Sequence, residues 1–261
     1  MINAAVHSFV VYFQNPSASS GILAISIGLA IGFGAVWLAG YRPPLFKKPW
    51  LWAVLTGSPF LTLAAASFIQ FPLQMWTWQA LDHFWSQEVS MRWFLLAAIP
   101  GMLLGGLVEE GAKMVPMVVY WRRSGKNIDP KLGLAIGAVA GAGFAIFSAQ
   151  HQHNLIFFTG WNWAWAVHTG GFWALAGFWE SFFTVAANIA FSALAGYGLA
   201  RGRGWQFYLI ASALHALLNY GRFLLIALLP DLHEEIYIAA VAVAVTAWAL
   251  WLRWRKTGNY S

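Results

Sequence analysis

The sequence predicts an all-α, polytopic transmembrane helix bundle of about seven spans, with the N-terminus outside and the C-terminus cytoplasmic. Three observations carry that prediction. Of 261 residues, 60% are hydrophobic and 9% charged, with a mean hydropathy of +0.61, far from the composition of a soluble domain. The apolar residues gather into runs that each approach the roughly 20 residues a helix needs to cross a bilayer. The basic residues cluster between alternate runs, as the positive-inside rule requires.

In chain order, the runs cover about 21–38, 50–71, 93–120, 132–158, 171–200, 205–229 and 236–252. After the first come Arg42, Lys47 and Lys48; after the third, Arg122, Arg123, Lys126 and Lys131; after the fifth, Arg201 and Arg203; after the seventh, Arg253, Arg255 and Lys256. These are 12 of the 15 Lys and Arg residues, all on one side, which sets the orientation. The opposite loops carry Asp82, Glu88, Asp231, Glu234 and Glu235, and Trp161, Trp163 and Trp165 fall where an aromatic belt sits. Residues 72–92 form the longest piece between runs and read as an outer amphipathic helix. The first 15 residues hold no Lys or Arg, so they lack the basic start of a cleavable signal and read as mature sequence. Their apolar segment Phe9–Phe13 is too short to cross and is expected at the interface. No linker, low-complexity tract or internal repeat divides the chain, so residues 1–261 read as one integral membrane domain.

Composition also excludes function classes. With no cysteine the chain has no disulfide, no Cys-ligated zinc and no thiol redox chemistry. The formal charge of +6 is accounted for by topology, so the partner it implies is the lipid bilayer and not nucleic acid. Small residues crowd the third and fourth runs at Gly101, Gly105, Gly106, Gly133, Gly137, Gly141 and Gly143, which predicts close helix packing there.

Ionisable groups inside a span are expensive unless paired or facing a cavity, so each is a functional candidate. Glu109, Glu110 and Lys113 fall on the third run, Glu180 on the fifth, and His215 and Arg222 on the sixth. With a helical rise of about 1.5 Å per residue, Glu109, Asn188, His215 and Asn219 all lie roughly 15–21 Å from the cytoplasmic ends of their helices. His151 and Glu180 come out near roughly 30 Å, in a separate outer layer with His153. The spacing of Glu109 and Lys113 allows an i,i+4 ion pair, and Glu110 lies about 100° further round the helix. Two neighbouring carboxylates in a low dielectric suit either proton handling or general acid/base work on a water. His215 and Asn219 share one helix face, whereas His151 and His153 are about 200° apart and cannot both face inward. The string from His233 to Tyr237 lacks the second histidine of a zinc-peptidase helix.

Four segments occur in order: Glu109–Lys113 as EExxK, Gly143-Phe144-Ala145, the run AFSALAGYG from Ala190 to Gly198, and His215–Asn219 as HxxxN. Together they resemble the PrsW family of intramembrane proteases, and more distantly the CAAX-processing and bacteriocin-processing membrane proteases, over about residues 100–225. The resemblance implies a protease-like core over about 93–229, in a prokaryotic plasma (inner) membrane, acting on membrane-anchored proteins. It implies that Glu109 and Glu110 are the paired catalytic glutamates, Lys113 the companion base, and His215 with Asn219 the last motif. The chain departs from the pattern where the family places a third glutamate followed by asparagine, here Ser148 and Ala149, and where it places a histidine, here Asn188. Ser148 and Asn188 are therefore expected to line the substrate site. His151 completes Phe147-xxx-His151, similar to the second motif of the CAAX-processing relatives.

Two readings follow. In the first, the chain is an endopeptidase that activates water with a glutamate, or with zinc held by Glu109, His151 and His215. In the second, it is a catalytically degenerate relative within a membrane complex, holding partner helices, a pigment or haem through His151, His153 and Glu180. Retinal-based pumping is disfavoured because the seventh run has no lysine, and coupled transport because no inverted repeat is visible.

Overall fold

The computed structural model describes residues 20–229 and 233–255. Among the described residues 88% are helical and no strand occurs. Seven helical segments among the described residues are long and apolar enough to cross a membrane. The long helices are α1 (Ser20–Tyr41), α2 (Trp50–Ala65), α3 (Phe71–Phe84), α4 (Ile99–Arg123), α5 (Pro130–Phe158), α6 (Ala176–Ala200), α7 (Gly204–Leu228) and α8 (His233–Trp254). The segment Phe9–Phe13, Asp231 and Lys256 lie outside the described residues.

Local chemistry sets the ends of these helices. Asp129 starts α5: its carboxylate accepts the amide of Leu132 at 2.9 Å, and Pro130 takes the first helical position, where its missing N–H costs nothing. The second span differs from the sequence expectation. The helix does not stop near residue 71 but runs from Trp50 to Phe84, α2 joining α3 through one π-helical turn at Ala66–Gln70. Pro72 lies just beyond that turn. A proline ring clashes with the carbonyl four residues back, and widening the turn by one residue lets the helix pass it unbroken. The piece expected as an outer amphipathic helix over 72–92 is thus split. Its first half extends the second span, and only Gln87–Arg92 forms a separate short helix, capped by Ser86, whose hydroxyl accepts the Val89 amide at 3.3 Å.

The centre of the bundle is the pair α5 and α6, whose spans are 72% and 83% buried against 22–33% for the others. Gly133, Gly137 and Gly141 recur every fourth residue on one face of α5, so each meets the same face of α6. A side chain at Gly137 would collide with the carbonyl of Ser192. Its absence lets the two backbones touch, which in lipid supplies the dispersion contacts that hydrophobicity cannot. The remaining helices pack around this pair. Polar ties fix them: the Ser58 hydroxyl donates to Ala140 O at 2.7 Å, and the Trp37 indole to Phe182 O at 2.9 Å. At one end of the bundle Gln152 of α5 donates to Glu180 of α6, which also pairs with Arg222 of α7 at 2.9 Å, and Arg222 in turn reaches Glu234 of α8. At the other end, Arg253 Nε donates to Tyr41 O at 2.7 Å.

Gly137→Leu is expected to destabilise the folded protein by about 1–3 kcal/mol or more through overpacking. Gly28→Ala, on α1 where nothing lies within 4 Å, is expected to leave stability unchanged or raise it by about 0.5–1 kcal/mol. Denaturant titration in mixed micelles, followed by near-ultraviolet circular dichroism, separates the two.

Candidate active site

The polar centre is built from α4, α6 and α7. Gly106 of α4 stands where a side chain would strike the Ser212 carbonyl of α7, so these helices meet at backbone distance. That approach carries His215, about one turn further along α7, onto the glutamate pair.

Glu110 has no exposure, yet both of its carboxylate oxygens are satisfied. Oε1 accepts from Lys113 Nζ at 2.5 Å and is 2.8 Å from His215 Nδ1; Oε2 accepts from the Ser192 hydroxyl at 3.0 Å. Lys113, itself buried, also donates to Asn188 Oδ1 at 2.8 Å and lies 5.0 Å from the centre of the Phe144 ring. Asn188 is held in turn by its own amide, which donates to Thr184 O at 3.1 Å. The His215 ring packs against Phe191, with centroids 5.7 Å apart. An ionised carboxylate only accepts, so the Glu110 contact places a proton on Nδ1 of His215 and turns Nε2 toward Glu109. His215 Nε2 and Glu109 Oε2 are 3.5 Å apart, and the Glu109 side chain keeps 16% exposure. The two glutamates therefore have different surroundings: Glu110 is enclosed by donors, and Glu109 is open.

This geometry corrects the expected pairing of Glu109 with Lys113. Lys113 pairs with Glu110 instead, at spacing i,i+3. Both carboxylates are within helical reach of the ammonium; α6 decides between them, because Asn188 and Ser192 lie on the Glu110 side. Ser192 is the site residue that sequence reasoning missed. Its signal was present, four residues after Asn188 and inside the segment from Ala190 to Gly198.

Of the other expected residues, Asn219 and Ser148 are partly exposed and not hydrogen-bonded to the cluster. His151 is not gathered with Glu109 and His215, and among the described residues no three His, Cys, Asp or Glu side chains are grouped to hold a metal. The reason is axial: Phe144 marks the depth of Lys113 on α5, and His151 lies seven residues on, about 10 Å further along a straight helix. His153 and Glu180 face different neighbours. His153 Nδ1 lies 3.4 Å from Ser26 O of α1, with its ring against Phe33 and Phe178, and Glu180 is engaged by Gln152 and Arg222.

Residues 47–250, most of the chain, match the sequence profile described as PrsW family intramembrane metalloprotease. The chain belongs to the PrsW family. No curated protein and no solved structure matches it. PrsW membership supports a protease function for this membrane protein and makes a metal a cofactor to test against the residues present. Two donors fit one: the Glu109 carboxylate, and His215 Nε2, whose ring is oriented by Glu110 in the manner of a carboxylate behind a metal-binding histidine. Catalytic zinc takes three protein ligands, and both oxygens of Glu110 are already engaged. Among the described residues, the donor set of this PrsW protein falls one short of such a centre.

Lys113→Met leaves Glu110 buried without its countercharge and is expected to cost about 3–5 kcal/mol of stability. Adding Glu110→Gln is expected to recover part of that loss, because the uncompensated charge is gone. Denaturant titration of the single and double variants measures the coupling.

Proposed function

We propose that this PrsW-family protein is an intramembrane endopeptidase of the prokaryotic plasma (inner) membrane that cleaves membrane-anchored proteins with water activated by Glu109. The observation carrying this reading is the 3.5 Å between Glu109 Oε2 and His215 Nε2, too long for a direct hydrogen bond of normal strength and suited to one water touching both. Glu109 is the open carboxylate and serves as the general base. His215, with its proton on Nδ1 facing Glu110, offers the Nε2 lone pair to the second hydrogen of that water and aims the oxygen at the scissile carbonyl.

In the reaction, Glu109 takes one proton as the water oxygen bonds to the carbonyl carbon, giving a tetrahedral intermediate. As the carbon–nitrogen bond breaks, the same proton passes to the departing amine, so water and peptide yield an acid and an amine. Asn219, one turn from His215 on α7 and partly exposed, donates to the oxyanion in this reading. Glu110 and Lys113 are positioning residues: the ammonium balances the charge that holds the imidazole in its tautomer. Asn188 and Ser192 fix that pair from α6. A metal, if bound by Glu109 and His215, would polarise the carbonyl or the water.

Glu109→Gln is expected to lower kcat by about 10²- to 10⁴-fold, the usual weight of a general base, with little change in KM. The measurement is cleavage of a single-span reporter by purified protein in proteoliposomes, and undiminished turnover would sink the proposal. Prolonged treatment with 1,10-phenanthroline or EDTA is expected to leave cleavage unchanged, because two protein donors make a poor zinc site. Loss of activity restored by zinc would assign the catalytic role to a metal.

A further inference from the structure

Resting on the endopeptidase reading, we infer that Gln70 is a substrate-binding residue, whose side-chain oxygen accepts a backbone N–H of the peptide drawn across Glu109. Gln70 closes the π-helical turn between α2 and α3. Such turns bring one extra residue into a helix and frequently mark functional sites. Its amide packs against Gly105 of α4, with Nε2 3.2 Å from the point a Cβ there would occupy. Gly105 lies one turn before Glu109 and about 40° away around the helix, and side chains of a helix lean toward its N-terminus. Glu109 therefore leaves α4 between the side that meets Gln70 at Gly105 and the side that meets α7 at Gly106.

The partner of that amide is what the fold leaves out. Gln70 Oε1 is shut away from the surface and has no hydrogen-bond acceptor or donor relationship in the folded chain. Gln74, four residues on, shows what a helix tie looks like in the same seam: its Nε2 donates to Gly101 O at 2.9 Å. Gln70 faces the next glycine along α4 without such a bond, so a tie between helices does not account for it. A peptide bond can be cut only where the substrate helix is locally unwound, and in a dry layer each freed backbone N–H needs an acceptor. The Gln70 amide, which packs its Nε2 against Gly105 one turn before the proposed general base and keeps its oxygen unpartnered, meets that need.

The test uses full-length protein in proteoliposomes and a single-span reporter, a Leu/Ala helix broken by a central Gly-Pro. Gln70→Met keeps the length and removes the acceptor. It is expected to raise KM about tenfold at nearly unchanged kcat, the weight of one hydrogen bond lost from binding. Gly105→Ala, which crowds the amide while leaving it in place, is expected to act in the same direction, and the double variant to add little. Unchanged KM in Gln70→Met, or a fall in kcat alone, overturns the inference. Binding is read separately by photo-crosslinking the reporter, through a benzophenone beside its Gly-Pro, to the Glu109→Gln protein. Capture is expected to fall about tenfold when Gln70→Met is added, and undiminished capture overturns the inference. Capture that depends on Gln70 without any cleavage by the wild type would remove the endopeptidase reading and keep the binding site. Failure to capture the reporter with Gln70 intact overturns the inference.

Discussion

Glu110 is a carboxylate with no exposure inside a bundle built for lipid, and nothing in that setting can solvate it except other parts of the protein. Its oxygens take three donors from three helices: Lys113 of α4, His215 of α7 and Ser192 of α6. The rest of the site follows from that requirement. A buried ion pair repays its desolvation only with good geometry and satisfied neighbours, so α4, α6 and α7 must meet closely and in one register. The residues that let them meet are small. Gly106 admits the backbone of α7, and the ladder Gly133, Gly137 and Gly141 seats α6 against α5 so that Asn188 and Ser192 reach α4.

The same arrangement divides two chemically identical neighbours. Adjacent glutamates on a helix point about 100° apart, and here that angle separates an enclosed side from an open one. Glu110 is consumed by structure, and through His215 it decides which imidazole nitrogen is free. Glu109 keeps some exposure and faces that nitrogen. Departures from the family pattern read differently in this light. Asn188, standing where a histidine was expected, accepts from Lys113 and belongs to the support of Glu110. Ser148, standing where a third glutamate was expected, brings no carboxylate to the site, and among the described residues no three donor side chains are grouped to hold a metal.

The positions of the spans were legible because each must satisfy the bilayer by itself: a run of apolar residues of sufficient length is readable one segment at a time. The layer shared by Glu109, Asn188 and His215 was legible for a related reason, since helical rise converts sequence position into depth. The second run was expected to end near residue 71, whereas one widened turn carries the helix from Trp50 to Phe84. His151 was a plausible ligand by residue type and excluded only by axial distance along α5.

By itself, then, the sequence determined the class of solvent, the apolar helices suited to it, the family and the common layer of Glu109, Asn188 and His215, all of which depend on local composition and spacing along one chain. The tertiary structure decided the pairings. Lys113 can reach either glutamate from its own helix, and its choice rests on Asn188 and Ser192, side chains of α6 seated by glycines of α5. Partner selection among groups equally near in sequence depends on rotation and approach of separate helices, and those are fixed only when the whole bundle packs.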